Sequence, residues 1–391
     1  MRRWIKTLAL LCLCCACACA QSIQTAQPKW KIDLTQRYGF QAFDRTINFR
    51  WTLHQGLLFI SPERLLVYQV NRSRVRTELS PRDASGGSGN FILEIKILNA
   101  ADGSEIKSLQ LPTNAEFSKV LATRNGQFIV RTGDILYLYS ADFTRLASHT
   151  MPLKRQVQEE GWQIGVSPSG DEVQLVHQQI FKRSAISPTS KVEKAQADVE
   201  ILSADNLETI KSFSLPWFVP DNWHGADHAL LSPSPTTWSP AASFGLLTFD
   251  GQWTPLMPDW ASAGHPCSYQ EVALEHKLFA AYGCGNFSVF PRTGEKLFLL
   301  KTGTKEFVNS VLGGGDYMAI QWDRHVVRTD TGANIPITVA QPLHVDLYQI
   351  YSSQPLLSVA LHHSNIYYAV SQNGSLAVGD GTELNLYSPT H

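Results

Sequence analysis

Charge is scarce in this chain, and what there is cancels. Asp, Glu, Lys and Arg make up 17% of the 391 residues, and the formal net charge is −1. So balanced a chain sets up no basic field, which argues against a general nucleic-acid binder. Blocks of helix-favouring Ala, Glu, Lys and Leu are few, and no stretch approaches the length of a transmembrane helix. Signatures of common chemistry are missing as well. There is no phosphate-cradling G-x-x-x-x-G-K, no G-x-G-x-x-G, no H-E-x-x-H and no haem-attaching C-x-x-C-H. Residues 165–169 (GVSPS) lack the final glycine of a nucleophile elbow. Ser104 and Lys107 match S-x-x-K, but strand residues three apart face opposite sides. No catalytic residue, cofactor site, cofactor or metal ligand is therefore assigned.

The first twenty residues read as a targeting segment. Arg2, Arg3 and Lys6 form a basic start, an apolar run spans residues 8–19, and Ala18-Cys19-Ala20 makes an A-x-A cleavage site before Gln21. Cleavage after Ala20 and export to a periplasm or the cell exterior are the expectation. Arg2-Arg3 as a twin-arginine signal, or a lipidated cysteine, are alternatives. Of seven cysteines, Cys12, Cys14, Cys15, Cys17 and Cys19 leave with this segment, so the mature chain keeps Cys267 and Cys284. In an oxidising compartment such a pair reads as a disulfide. A hairpin turning between Glu275 and His276 would oppose the two across a ladder, with Cβ atoms about 4.5–5.5 Å apart. Closing that loop would stabilise by roughly 3 kcal/mol. Two buried free thiols are the alternative.

What the chain has in quantity is turn residues: 26 Gly and 20 Pro, spread among short apolar runs. That texture is many strands joined by turns. One phrase recurs: IKILNAADGSEIKSLQLP at 95–112, ILYLYSADFTRLASHTMP at 135–152 and VEILSADNLETIKSFSLP at 199–216, with echoes at 244–258 and 287–300. Each reads as strand, polar turn, strand. Two further strands precede it, joined by Arg124-Asn125-Gly126 in one unit and Ser167-Pro168-Ser169-Gly170 in the next. Four strands per roughly 40 residues is the signature of β-propeller blades.

The expected fold is all-β, a propeller of seven four-stranded blades, with six or eight blades or two stacked β-sandwiches as alternatives. The sixth unit is expected to end near Ala340, and the seventh to hold LLSVALH, NIYYAVSQNGSLAVGDG and ELNLYSP. An N-terminal strand in the 49–60 region is expected to close the ring beside residues 383–387. The domain plan is residues 1–20 signal, 21–48 polar lead and 49–391 propeller, monomeric. Residues 71–90, with Arg72, Arg74 and Arg76, read as an exposed loop.

The pattern of strand, Ser-x-x-Gly, strand at 166–170 and at Ser371-Gln372-Asn373-Gly374 resembles WD40-like repeats of exported bacterial propellers. The turn at 99–106 (NAADGSEI) resembles the loop of quinoprotein-type repeats. Two departures stand out: Trp-Asp occurs only as Trp322-Asp323, and Lys107 and Ser108 stand where quinoprotein repeats place a docking tryptophan. The likeness covers residues 57–388 and implies the fold, with binding at the axial mouth through variable loops.

Residues 217–260 hold five of the ten tryptophans. Trp217, Trp223, His224 and Trp238 are the candidates there for a surface that stacks a carbohydrate or an apolar ligand. Blade-packing aromatics are the alternative, and His224 with His228 would suit a metal only on a helix. His362 and His363, adjacent on a strand, face opposite sides and read as surface. The expected function is an exported, non-enzymatic propeller that binds or scaffolds a protein or carbohydrate partner. The alternative is an enzyme on the same scaffold, a quinoprotein-like dehydrogenase or a carbohydrate-active hydrolase or lyase.

Overall fold

A computed structural model of the chain describes residues 26–40, 55–72, 91–113, 119–151, 159–182, 192–215, 225–233, 244–256, 269–283, 285–291, 297–302, 306–328, 337–363 and 366–389. These residues form seven four-stranded antiparallel sheets, the blades of a β-propeller. Blade one is Gln55–Ser61, Arg64–Arg72, Phe91–Asn99 and Glu105–Thr113; blade two is Lys119–Ala122, Phe128–Thr132, Ile135–Tyr139 and Arg145–Thr150. Blade three is Glu159–Val166, Glu172–Lys182, Val192–Ser203 and Thr209–Leu215; blade four is Gly225–Ala226, Ala229–Pro233, Phe244–Thr248 and Trp253–Pro255. Blade five is Tyr269–Ala273, Leu278–Gly283, Asn286–Pro291 and Phe298–Lys301; blade six is Glu306–Gly314, Tyr317–Arg328, Ile337–Gln349 and Pro355–Ala360. Blade seven is Ile366–Val370, Leu376–Asp380, Glu383–Tyr387 and, last, Trp30–Asp33. First strands of neighbouring blades touch one another, which places them nearest the axis.

The apolar doublets of the sequence follow from this arrangement. Both faces of a blade pack on neighbours, so successive strand residues are buried on opposite sides. Leu65, Leu66 and Val67 are all fully buried. Leu66 enters the cluster between blades one and two, while Leu65 and Val67 enter the one between blades seven and one. The described core is thus seven hydrophobic clusters, one for each seam, and the seam of blades seven and one closes the ring.

Closure is by an N-terminal strand, but by Trp30–Asp33 rather than the 49–60 region. Gln55–Ser61 is committed to blade one as its innermost strand, so the exposed edge of Glu383–Tyr387 is covered from further upstream. The polar lead therefore contributes to the ring. The Trp30 Nε1–H donates to the Ala100 carbonyl at 3.0 Å, and the Tyr38 hydroxyl donates to Gly103 O at 2.7 Å. Both clasp the turn of blade one that the repeated phrase encodes. Tyr38 ends the short helix Leu34–Tyr38, which Asp33 caps by accepting from the Thr35 and Gln36 N–H groups.

Two further expectations are corrected. Blade six runs to Ala360, not Ala340, because the long strand Ile337–Gln349 pairs on its far side with Pro355–Ala360; LLSVA thus belongs to blade six. The 269–283 hairpin forms, but its ladder pairs Tyr269 with Gly283 around His276, one residue out of the register that would oppose 267 and 284. The left-handed backbone at His276 (φ 59°) and Lys277 (φ 59°) shapes that turn. Cys267 and Cys284 themselves lie outside the described residues.

Candidate functional site: the axial mouth

In each blade the turn from first to second strand lies at one end of the axis, and these inner turns converge. Their Ser/Thr and Gly content is a matter of geometry. In blade three the Ser167 N–H reaches Glu172 O (3.0 Å), Gly170 N–H reaches Ser167 O (2.8 Å), and the Ser167 hydroxyl accepts from Glu172 N at 3.2 Å. In blade seven Ser371 and Gly374 repeat the scheme, with Ser375 N donating to the Ser371 hydroxyl at 2.9 Å. Gly170 (φ 75°) and Gly374 (φ 81°) take the left-handed backbone the turn demands.

Neighbouring inner turns are tied to one another. Arg124 N–H donates to Gly170 O (3.2 Å), and a Cβ on Gly170 would stand 2.6 Å from that nitrogen. The Arg124 guanidinium also bonds Asp171 and Asp205 of blade three. The Asp205 bond and the charge of Asp171 raise the Arg124 pKa, and the same bond holds the Asp205 carboxyl below its usual range. Blade three meets blade four where Ser169 N donates to Asp227 (3.0 Å) and His228 bonds the buried Glu172. Blade five meets blade six where Glu275 accepts from Gly315 N (2.7 Å) and His276 lies 2.9 Å from Asp316. Blade six abuts blade seven so closely that a Cβ on Gly314 would stand 2.6 Å from the Val370 carbonyl.

These interlocked turns enclose a cavity of about 650 Å³. Its wall comes from blades one, two, three, five, six and seven and is largely turn backbone and hydroxyl. Arg64, Asn125 and Gln372 on that wall have no side-chain partner among the described residues. Glu275 spends one oxygen on Gly315. Everything else charged on the wall is engaged: Arg124 is held by its two aspartates.

A second cleft, of about 320 Å³, lies on blade three. A row across its four strands runs Trp162, His177, Asp198, Ser214. Trp162 stacks on His177 with ring centroids 4.5 Å apart, and the Ser214 hydroxyl donates to Asp198 at 2.6 Å. Nucleophilic catalysis needs the histidine between serine and carboxylate, and here the carboxylate stands between. Neighbouring Glu200 accepts from Thr209 of its own blade (2.5 Å) and meets His149 of blade two at 3.2 Å, so Glu200 ties the two blades together.

Trp217, Trp223, His224 and Trp238 lie outside the described residues. Trp253 packs beside Phe213 and Phe249 between blades three and four, in the packing role. His228 is at an inner turn, not on a helix. His362 and His363 are exposed, and both backbone N–H groups donate to Asp380 at 2.8 Å. Among the described residues no group of His, Cys, Asp and Glu is placed to hold a metal, and no helix is long and apolar enough to cross a membrane. Sequence reading missed Arg64, Asn125 and Gln372 as a set. The signal was present, since Asn125 and Gln372 sit inside the repeated turn motifs, but only ring closure brings these turns together.

No protein-family model matches the chain, and no curated protein matches it. Solved structures similar in fold include BamB from Moraxella catarrhalis, 11% identical with a TM-score of 0.39, over 94% of this chain and 98% of that one. Another is the β-propeller domain of the Trilobed protease from Pyrococcus furiosus, 10% identical with a TM-score of 0.48, over 88% and 95%. An oligogalacturonate lyase in complex with manganese is 9% identical with a TM-score of 0.47, over 87% and 97%.

Proposed function

We propose that the protein is an exported binding propeller that takes its ligand in the axial mouth. One observation carries this reading: Arg64, Asn125 and Gln372 line a common cavity with no side-chain partner among the described residues, while the Asn125 turn is hydrogen-bonded to blade three and the Gln372 turn packs closely on Gly314 and Gly315 of blade six. Polar groups held on a rigid scaffold bind at low entropic cost. The cavity volume falls within the range of small-ligand and peptide sites, about 300–1,000 Å³. Export rests on the basic start, apolar run and A-x-A site of residues 1–20. The turn patterns at 99–106, 166–170 and 371–374 resemble those of WD40-like and quinoprotein-like repeats of exported bacterial propellers, which supports this reading.

The test is capture on the immobilised mature chain, residues 21–391, from an envelope extract of the producing cell and from a glycan array. The control is Asn125→Ala/Gln372→Ala, checked for an unchanged circular dichroism spectrum. A ligand held by the wild type and weakened at least about tenfold by the double substitution supports the mouth. Equal retention by both proteins overturns it. Tightly bound quinone or stoichiometric metal in the purified protein, or hydrolysis on the array, would instead establish the enzymatic alternative.

A further inference from the structure

The free groups of the mouth are not scattered around it. Gln372, Arg64 and Asn125 belong to blades seven, one and two, three consecutive members of the ring. They form an arc of carboxamide, guanidinium and carboxamide. Glu275 stands on blade five, across the axis from Arg64, with one carboxylate oxygen committed to Gly315 N and the other uncommitted. The mouth therefore has a cationic, donor-rich side and an anionic side. Phe59 is the one aromatic residue on the described wall, and the rest is turn backbone, hydroxyl and small apolar groups.

We infer that the ligand is a short peptide segment with a free C-terminus, its carboxylate on Arg64 and its cationic group directed to Glu275. The inference rests on the mouth being the binding site. A guanidinium matches a carboxylate in a planar, two-bond geometry. Asn125 and Gln372 each offer a donor and an acceptor, the complement of a peptide amide. The opposed charges decide between ligand classes. An acidic glycan would satisfy Arg64 but leave Glu275 facing an anion or nothing, whereas a zwitterionic peptide satisfies both. A glycan site would also draw on stacking aromatics, and this wall offers only Phe59.

The probe is a tripeptide library with free termini, compared with its C-terminally amidated and N-acetylated twins and with tri-galacturonate. Retention on the mature protein is read by equilibrium dialysis and mass spectrometry. Free tripeptides are expected to be retained. Amidation should weaken retention about tenfold or more, the loss of a charge-assisted hydrogen-bonded pair. Acetylation should weaken it by a smaller factor, because Glu275 already shares its charge with a backbone N–H. Arg64→Gln should erase the difference between free and amidated peptides, and Arg64→Lys should restore part of it. Equal retention of all three peptide forms, or no retention of any, overturns the peptide inference. If tri-galacturonate alone is retained and Asn125→Ala/Gln372→Ala abolishes it, the mouth stands and the peptide assignment falls. If retained ligands of any class ignore both sets of substitutions, the mouth itself falls.

Discussion

Replacing Trp30 with alanine should unlatch the ring. Trp30–Asp33 is the outermost strand of blade seven, and its indole reaches across the seam to the Ala100 carbonyl at 3.0 Å. Trp30 is half-buried, packed with the cluster that joins blades seven and one. A fully enclosed indole covers about 150–250 Å², so Trp30 hides about 100 Å². At about 25 cal/mol per Å² this contributes about 2.5 kcal/mol. The hydrogen bond adds about 1 kcal/mol. Trp30→Ala is thus expected to cost about 3–4 kcal/mol, and Trp30→Phe, which keeps a ring but no donor, about 1–2 kcal/mol. Tyr38→Phe removes the second anchor on the same turn, so its effect should couple to that of Trp30→Ala and not simply add. Urea unfolding followed by far-ultraviolet circular dichroism measures the wild type, the three single variants and the Trp30→Ala/Tyr38→Phe double variant. A Trp30→Ala cost below about 1 kcal/mol, with an unchanged slope, would show that the strand decorates a ring already closed without it.

Three further outcomes are expected. Gly170→Ala forces a side chain onto a left-handed backbone and into main chain of the neighbouring blade, and should cost about 2–4 kcal/mol in the same urea assay. His344 is subject to burial, which lowers its pKa, but the Asp346 bond and charge, with the field of Glu306, outweigh this and raise it. Its contribution to stability is then complete below the ordinary histidine value and lost as pH rises through the raised one. The urea midpoint should therefore fall between about pH 6 and pH 8, and His344→Gln should flatten that stretch of the curve. We also propose that the exported protein carries Cys267 and Cys284 as a disulfide, joined diagonally because the ladder of the hairpin between them is one residue out of direct opposition. Intact mass should rise by a pair of hydrogens on reduction, and free thiols in the native protein would contradict the pairing.

The sequence exposed the blades more readily than the ring. A phrase such as 95–112 encodes its own strands and turn locally, through alternation, doublets and the Asn99–Gly103 contacts, so it can be read from one blade alone. Which strand covers Glu383–Tyr387 is a contact between opposite ends of the chain, and Trp30–Asp33 is too short to announce itself as a strand. The end of blade six was misplaced for a related reason. Ile337–Gln349 is long and carries Pro342, which reads as a stop, although it sits where the ladder shifts register opposite Asp323. The mouth was the least legible part. Ser167, Gly170, Ser371 and Gly374 serve their own turns, and nothing local distinguishes them from Arg64, Asn125 and Gln372, whose relation exists only around the axis.

The most direct test of the mouth is hydrogen exchange on the mature protein with and without its captured ligand. Amides of the inner turns at 124–127, 313–316 and 371–375 should gain protection together, with the outer strands of the blades unchanged. Protection confined to the blade rims, or to the opposite end of the ring, would contradict the account.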